Sequence, residues 1–400
     1  RHPLTRSTTQ EFLRKYLLAG QKTHENSLIL DEDPSEYDKF IARNRRWLAL
    51  LVPFCFVQIV YWLLAFKYDL FHLFTTRYEI ALLMIFGALV GGATAEGGGA
   101  IAFPVLTLAF HVPPAVARDF SAMIQSVGLN SAALSIRMMG VLVETHTLFF
   151  CSLGGTIGTV FCLEFISTHL SPVVKKISFV SVFFSFAMAL YILNREKKRT
   201  TFDRITKFGM KDAIILFCTG LVGGVFSGVA GTGLEVFAFS VITLYYRINE
   251  KVATPTTVSL AGINSLVVFF WRHLMQQTIQ PLAWEYFAVS APIVAIFAPV
   301  GSLLSSYLHR QTLASFIYVL ETIALISAFL VLNPGLDMYG MSIGIILIGL
   351  VFYLILAYMG KKRMTQHIED GKKRSRSKRN SIADSSDVVN HSIETKFTLA

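Results

Sequence analysis

The chain has 400 residues, 53% of them hydrophobic and only 16% charged. That charge fraction is well below the roughly one quarter usual in soluble domains. Long apolar runs recur along most of the length, which excludes a soluble globular protein and marks a polytopic membrane protein. The net charge of +10 gathers in three polar segments outside those runs, as the positive-inside rule arranges it, so it does not speak for a nucleic-acid partner.

In chain order, residues 1–46 read as a polar cytosolic tail with at most one short helix around Glu11–Leu18. Arg43, Arg45 and Arg46 stand at the edge of a first span, Trp47–Phe66, and residues 47–78 form this accessory span and its loop. Residues 79–110 hold a glycine-rich apolar stretch. As one straight helix it would run about 48 Å, beyond a hydrocarbon core of roughly 30 Å. Two shortened helices meeting at Gly91–Gly99 suit the length better, because Gly97-Gly98-Gly99 is a poor helix interior.

Three spans are expected next, over Ala117–Met139, Thr147–Ile166 and Lys176–Asn194. Residues 195–211 are a basic cytosolic linker carrying seven Lys and Arg residues. Residues 212–246 hold a second glycine stretch, followed by spans over Val252–Trp271, Tyr286–Leu308 and Thr312–Leu332. Residues 333–360 supply an accessory last span, Tyr339–Gly360. Residues 361–400 read as a basic, disordered cytosolic tail. Cys55, Cys151, Cys162 and Cys218 all sit in apolar runs without a CxxC pair, so they read as small apolar side chains and no metal site is expected.

The two glycine stretches are copies of each other. Gly87, Gly92 and Gly97 overlay Gly223, Gly228 and Gly233, and Ala102-Phe103 overlays Ala238-Phe239. The following span repeats too, as Gly128-Leu129-Asn130-Ser131 and Gly262-Ile263-Asn264-Ser265. The chain is therefore two transport repeats, 79–194 and 212–332, each a glycine-broken hairpin plus three transmembrane helices. Parity sets their relation. All three basic segments reach the cytosolic side only if each glycine stretch returns to its starting face. Each repeat then crosses an odd number of times, so the repeats are inverted and both termini are cytosolic.

The chemistry is expected at the glycine breaks. A helix that starts after a break leaves unpaired N–H groups, and these with the helix dipole favour an anion. The expected anion ligands are Thr94, Gly97, Gly98, Gly99, Ser126, Asn130, Gly231, Thr232, Gly233, Thr257 and Asn264. The bland alternative is that the small residues only let helices pack closely. Glu96 and Glu235 are carboxylates within apolar stretches, a functional signal by default; they read as carriers of a coupling ion, proton or sodium. Arg118-Asp119 reads as an interfacial ion pair, and Arg272 as a side chain snorkelling to the interface. Ser227-Gly228 lies in neither G-x-S-x-G nor G-x-S-G, and HExxH is absent from the sequence, so an enzyme is not expected, and no cofactor is called for.

The spacing G-x4-G-x4-GGG-x4-P over Gly87–Pro104, duplicated and followed each time by a small-residue segment with Asn-Ser, resembles the TauE/SafE sulfite exporters, also called the toluenesulfonate uptake permease family. The resemblance covers about residues 79–332. It implies a secondary transporter of a small inorganic or organic sulfur anion, such as sulfite or an organosulfonate; the alternative is an anion channel or a carrier of another small anion. The chain departs from the family pattern at Gly231-Thr232-Gly233-Leu234-Glu235, where further glycines are usual, and at Ser240, which takes the place of Pro104. The long basic tails and the extra span at each end look eukaryotic.

Overall fold

The computed structural model describes residues 35–94, 99–194, 201–206, 208–307 and 310–397. Among them are thirteen helices and no strand beyond one isolated bridge, Phe202 with Ile248. Eight helices are long and apolar enough to cross a membrane, so the fold is an all-α polytopic membrane bundle.

The first helix, α1 (Glu36–Lys67), begins eleven residues before the expected span. The reason is local: the Ser35 hydroxyl accepts the Asp38 N–H at 3.2 Å and caps the helix. The short helix expected around Glu11–Leu18 lies outside the described residues. After a short α2 (Phe71–Thr76), α3 (Tyr78–Ala93) and α4 (Gly99–Pro104, prolonged by a π-turn to Ala109) form the first broken pair. Then come α5 (Pro114–Met139), α6 (Thr145–Phe161, with a π-turn to Ile166) and α7 (Pro172–Asn194). Proline at the first position of α5 costs no hydrogen bond, and Gly140 at φ +70° closes that helix.

The second half follows the same order. It runs α8 (Met210–Ala230), α9 (Leu234–Ser240, with a π-turn to Tyr245), α10 (Glu250–Phe270, with a π-turn to Met275), α11 (Pro281–Tyr307) and α12 (Arg310–Leu332). The last helix, α13, runs Leu336–Phe397. It therefore continues through the segment expected to be a disordered tail. That stretch contains no proline, and extending an existing helix costs far less than starting one.

Each broken pair is seated in the other half of the molecule. α8 runs parallel to α6 at backbone contact: a Cβ on Gly154 would stand 2.0 Å from the Phe217 carbonyl oxygen, and one on Gly224 2.3 Å from that of Gly155. The reciprocal contact joins α3 to α11, where a Cβ on Gly92 would stand 2.0 Å from the Ala298 oxygen and one on Gly301 2.2 Å from that of Leu89. Without water to drive association in the bilayer, such close approach is what holds helices together. The matched helices α5 and α10 pack against each other, and α7 packs against both its match α12 and α13.

The second broken pair is a hairpin. A Cβ on Gly223 would lie 2.8 Å from the Leu234 Cα, and at the far end the Tyr246 hydroxyl donates to Asp212 Oδ1 at 3.1 Å. The two ends of the bundle hold different segments. At one end Arg45 Nε donates to the Met138 carbonyl (2.7 Å), the Ile205 N–H of the linker to Glu144 Oε2 (3.1 Å), and Arg363 to Asp212 (2.8 Å). Segments from all three basic regions thus share one end, where α8 begins. At the opposite end α3 begins, with Arg77 paired to Glu285 at 2.8 Å. There Lys176 Nζ also donates to the Thr107 carbonyl at the close of the first broken pair (3.0 Å).

Candidate functional site

The second break is fully described and tightly built. α8 ends at Gly231 (φ +81°) and the chain passes through Gly233 (φ +145°) into α9. Both angles lie where a side chain is strained, so glycine is required twice within three residues. The Gly231 carbonyl accepts from Gln125 Nε2 of α5 at 3.2 Å. The Leu234 N–H, freed at the helix start, donates to Ser227 Oγ at 3.0 Å.

Glu235 is 1% exposed. Its carboxylate takes the hydroxyl of Thr232 and stands beside the backbone of Gly233 and of Glu235 itself. The place expected for an anion at the second break is therefore taken by a side chain of the chain itself. Thr159 Oγ1 of α6 lies 3.1 Å from both Asn264 Oδ1 and the Gly224 carbonyl. A Cβ on the adjacent Gly155 would stand 2.6 Å from Leu234 and 3.5 Å from Asn264 Oδ1. Gly231, Thr232, Gly233, Glu235 and Asn264 thus gather about one break.

The other expected ligands fare differently. Glu96, Gly97 and Gly98 lie outside the described residues. On either side of them, Thr94 is buried with its hydroxyl on the Val90 carbonyl (2.9 Å), and Gly99 opens α4. Thr257 turns back onto Ala253 and Thr254 of its own helix, at 3.1 and 3.0 Å, and Ser126 onto Met123 at 2.7 Å. Asn130 Nδ2 bridges Ser126 and Gly262, both at 2.8 Å, and so ties α5 to α10 rather than facing the second break. Ser126 and Asn130 instead line an open, mostly apolar cleft of about 400 Å³ between α1, α5 and α11.

One expectation about arginine needs correction. Arg118 forms the expected ion pair with Asp119 at 2.9 Å, and Arg272, rather than snorkelling to the interface, joins them. The two arginine side chains are 6% and 11% exposed, and both bind Asp119, itself 1% exposed. Asp119 is the stronger magnet because a buried carboxylate needs donors on both oxygens. Gln125, Thr159 and the capping role of Ser227 were missed by the sequence reading. Gln125 and Thr159 are polar residues inside apolar spans, the signal that could have flagged them.

The sequence profile of a family described as sulfite exporter TauE/SafE matches residues 80–328, well over half of the chain and nearly the whole of both repeats. No curated protein and no solved structure matches it. With the duplicated broken helices and eight helices able to span a membrane, the chain belongs to the sulfite exporter TauE/SafE family of membrane transporters.

Proposed function

We propose that this protein is a secondary transporter that moves a small sulfur oxyanion or organosulfonate, sulfite-like in size, and couples the movement to an ion. The observation that carries the reading is Glu235, buried at the start of α9 beside the backbone of Gly233, with its carboxylate on the Thr232 hydroxyl. A cradle that binds a carboxylate suits an oxyanion of the same hydrogen-bonding chemistry. The two anions exclude each other unless the carboxylate withdraws or takes a proton. Competition of that kind links anion binding to proton binding at one place.

Inverted repeats are part of the same proposal. In support, α3 begins beside Glu285 while α8 begins beside Arg363, at opposite ends of the bundle. The end that collects the basic segments is assigned to the cytosol by the positive-inside rule.

Sulfite flux into proteoliposomes, with an imposed pH gradient, tests the coupling. Glu235→Gln keeps the shape but not the charge. It is expected to leave sulfite exchange measurable while removing the acceleration that the gradient gives the wild type. Glu96→Gln serves as the parallel case, since Glu96 is the second acid of the glycine stretches. A Glu235→Gln protein with the wild-type pH response would remove Glu235 from the mechanism.

A further inference from the structure

The charge balance around Asp119 is uneven. Asp119 Oδ1 receives Arg118 Nε at 2.9 Å and Arg272 Nε at 2.9 Å, and Oδ2 receives Arg272 Nη2 at 2.7 Å. Two guanidinium groups therefore share one carboxylate. Lys175 lies close enough to be felt electrostatically and adds a further positive charge. Glu164 is reached only through Gln276, which accepts from Arg272 Nη1 at 2.6 Å and donates to Glu164 Oε1 at 2.8 Å. Among the described residues, two buried guanidinium groups thus share one buried carboxylate, with half-buried Lys175 and exposed Glu164 at the edge. A surplus buried charge is costly unless a counter-ion joins it.

Arg118 also has capacity to spare. A guanidinium offers five N–H groups. Arg118 places Nε and Nη2 on Asp119 Oδ1, both at 2.9 Å, and Nη1 on Ser167 Oγ at 2.8 Å. Among the described residues, two of its N–H groups have no acceptor. A fork of this shape matches the paired oxygens of a small oxyanion.

The position of the cluster is informative. It lies at the end of the bundle where α5 begins and α6 and α10 close, opposite the basic end. The Arg118 carbonyl stands 2.4 Å from where a Cβ on Gly231 would be, and Gln125, about two turns further along α5, donates to the Gly231 carbonyl. The arginine turn of α5 is thus packed directly on the glycine break. Aligning Gly128 with Gly262 sets the positions that match Arg118 and Asp119 in the second repeat, and they hold Val252 and Ala253. A pair required only by the architecture of the repeat would be expected twice; this one occurs at one end alone.

We propose that Arg118 and Arg272, held by Asp119, form an oxyanion-binding site at the end of the bundle opposite the basic end, which an anion occupies before it reaches the Gly231–Gly233 break. The proposal rests on the transport reading for its role and on the cluster itself for binding. It makes the protein functionally one-sided: the anion is captured by guanidinium groups at one face only.

The test uses purified protein in right-side-out and inside-out proteoliposomes, with sulfite varied on one side at a time. Arg272→Gln is expected to raise the half-saturating sulfite concentration about tenfold from the cluster side, the scale of losing one charge-assisted contact. Half-saturation from the other side stays unchanged, and Arg272→Lys recovers part of the loss. Equal loss of maximum rate from both sides, with half-saturation unchanged, would reduce the cluster to a strut between α5 and α10 and overturn the proposal; wild-type behaviour would overturn it as well. Sulfite binding to detergent-solubilised protein, read by calorimetry, separates this from the transport reading. If the wild type carries no sulfite from either side, transport of sulfite is wrong. The binding site still stands if the wild type binds sulfite and Arg272→Gln does not, and it falls if both bind alike or neither binds.

Discussion

Pro292 has no N–H to give, so the carbonyl of Ala288, one turn earlier in α11, loses its helical partner. The Tyr61 hydroxyl of α1 takes that carbonyl at 2.6 Å, and Gln58 of the same helix reaches the Pro292 carbonyl at 2.7 Å. An open backbone oxygen among apolar side chains is costly, and here a side chain from outside the repeats closes it. Tyr61→Phe is expected to lower stability by about 1–3 kcal/mol, seen as an earlier melting transition of the purified protein. Tyr37→Phe, at a position 72% exposed, should melt as the wild type. The sequence makes Pro292 visible as a helix fault, but not the residue that repairs it, because that residue lies 227 positions away. The same holds for Asp119 and Arg272, 153 positions apart, which single-residue reasoning sends separately to the interface. At the second break the reverse is true: Gly231 and Gly233 stand where a backbone turn was expected, and both are at positive φ.

At the scale of elements, the glycines divide into two kinds that composition cannot separate. Those at 231 and 233 turn the chain, whereas Gly92, Gly154, Gly158, Gly220 and Gly224 exist to let backbones touch. Gly224→Val drives its first carbon into the Gly155 carbonyl, at 2.3 Å, along the α6–α8 seam. Backbone cannot move aside as a side chain can, so the helices must part. The expected result is loss of monodisperse protein on size-exclusion chromatography after detergent extraction. Gly344→Ala, where a Cβ meets nothing within 4 Å, should elute as the wild type. Helix placement was largely legible: α5, expected from Ala117 to Met139, runs Pro114–Met139. Apolar runs and prolines set those bounds locally. The partners of each helix were not legible, since a lipid-facing and a protein-facing apolar surface read alike in sequence.

At the scale of the molecule, each half completes the other: α8 lies on α6 and α3 on α11, so neither repeat can bury its broken pair alone. The duplicated glycine pattern announces two halves, yet it does not say that they exchange their hairpins. Charge adds the orientation. Arg45, Ile205 and Arg363 mark one end of the bundle, next to Met138, Glu144 and Asp212. If that end faces the cytosol, epitope tags inserted at 200–205 or within 365–400 stay hidden in intact cells and become accessible on permeabilisation. A tag at 200–205 visible before permeabilisation would reverse the assignment.

The extra helix α13 has a mechanical consequence. Its Gly360 lies against the Leu244 carbonyl, where a Cβ would come within 2.0 Å, and Arg363 joins Asp212 while covering the Tyr246 ring at 4.8 Å. Both feet of the second hairpin are thereby strapped to one element outside the repeats. The matched foot of the first, at Thr107, is held by Lys176 from within its own repeat. If the two hairpins serve as gates, unlike restraints make them open with unequal ease, and the idle carrier then spends more of its time open to one compartment than to the other. Without any gradient, its first turnover after substrate is added differs in speed according to which compartment receives it.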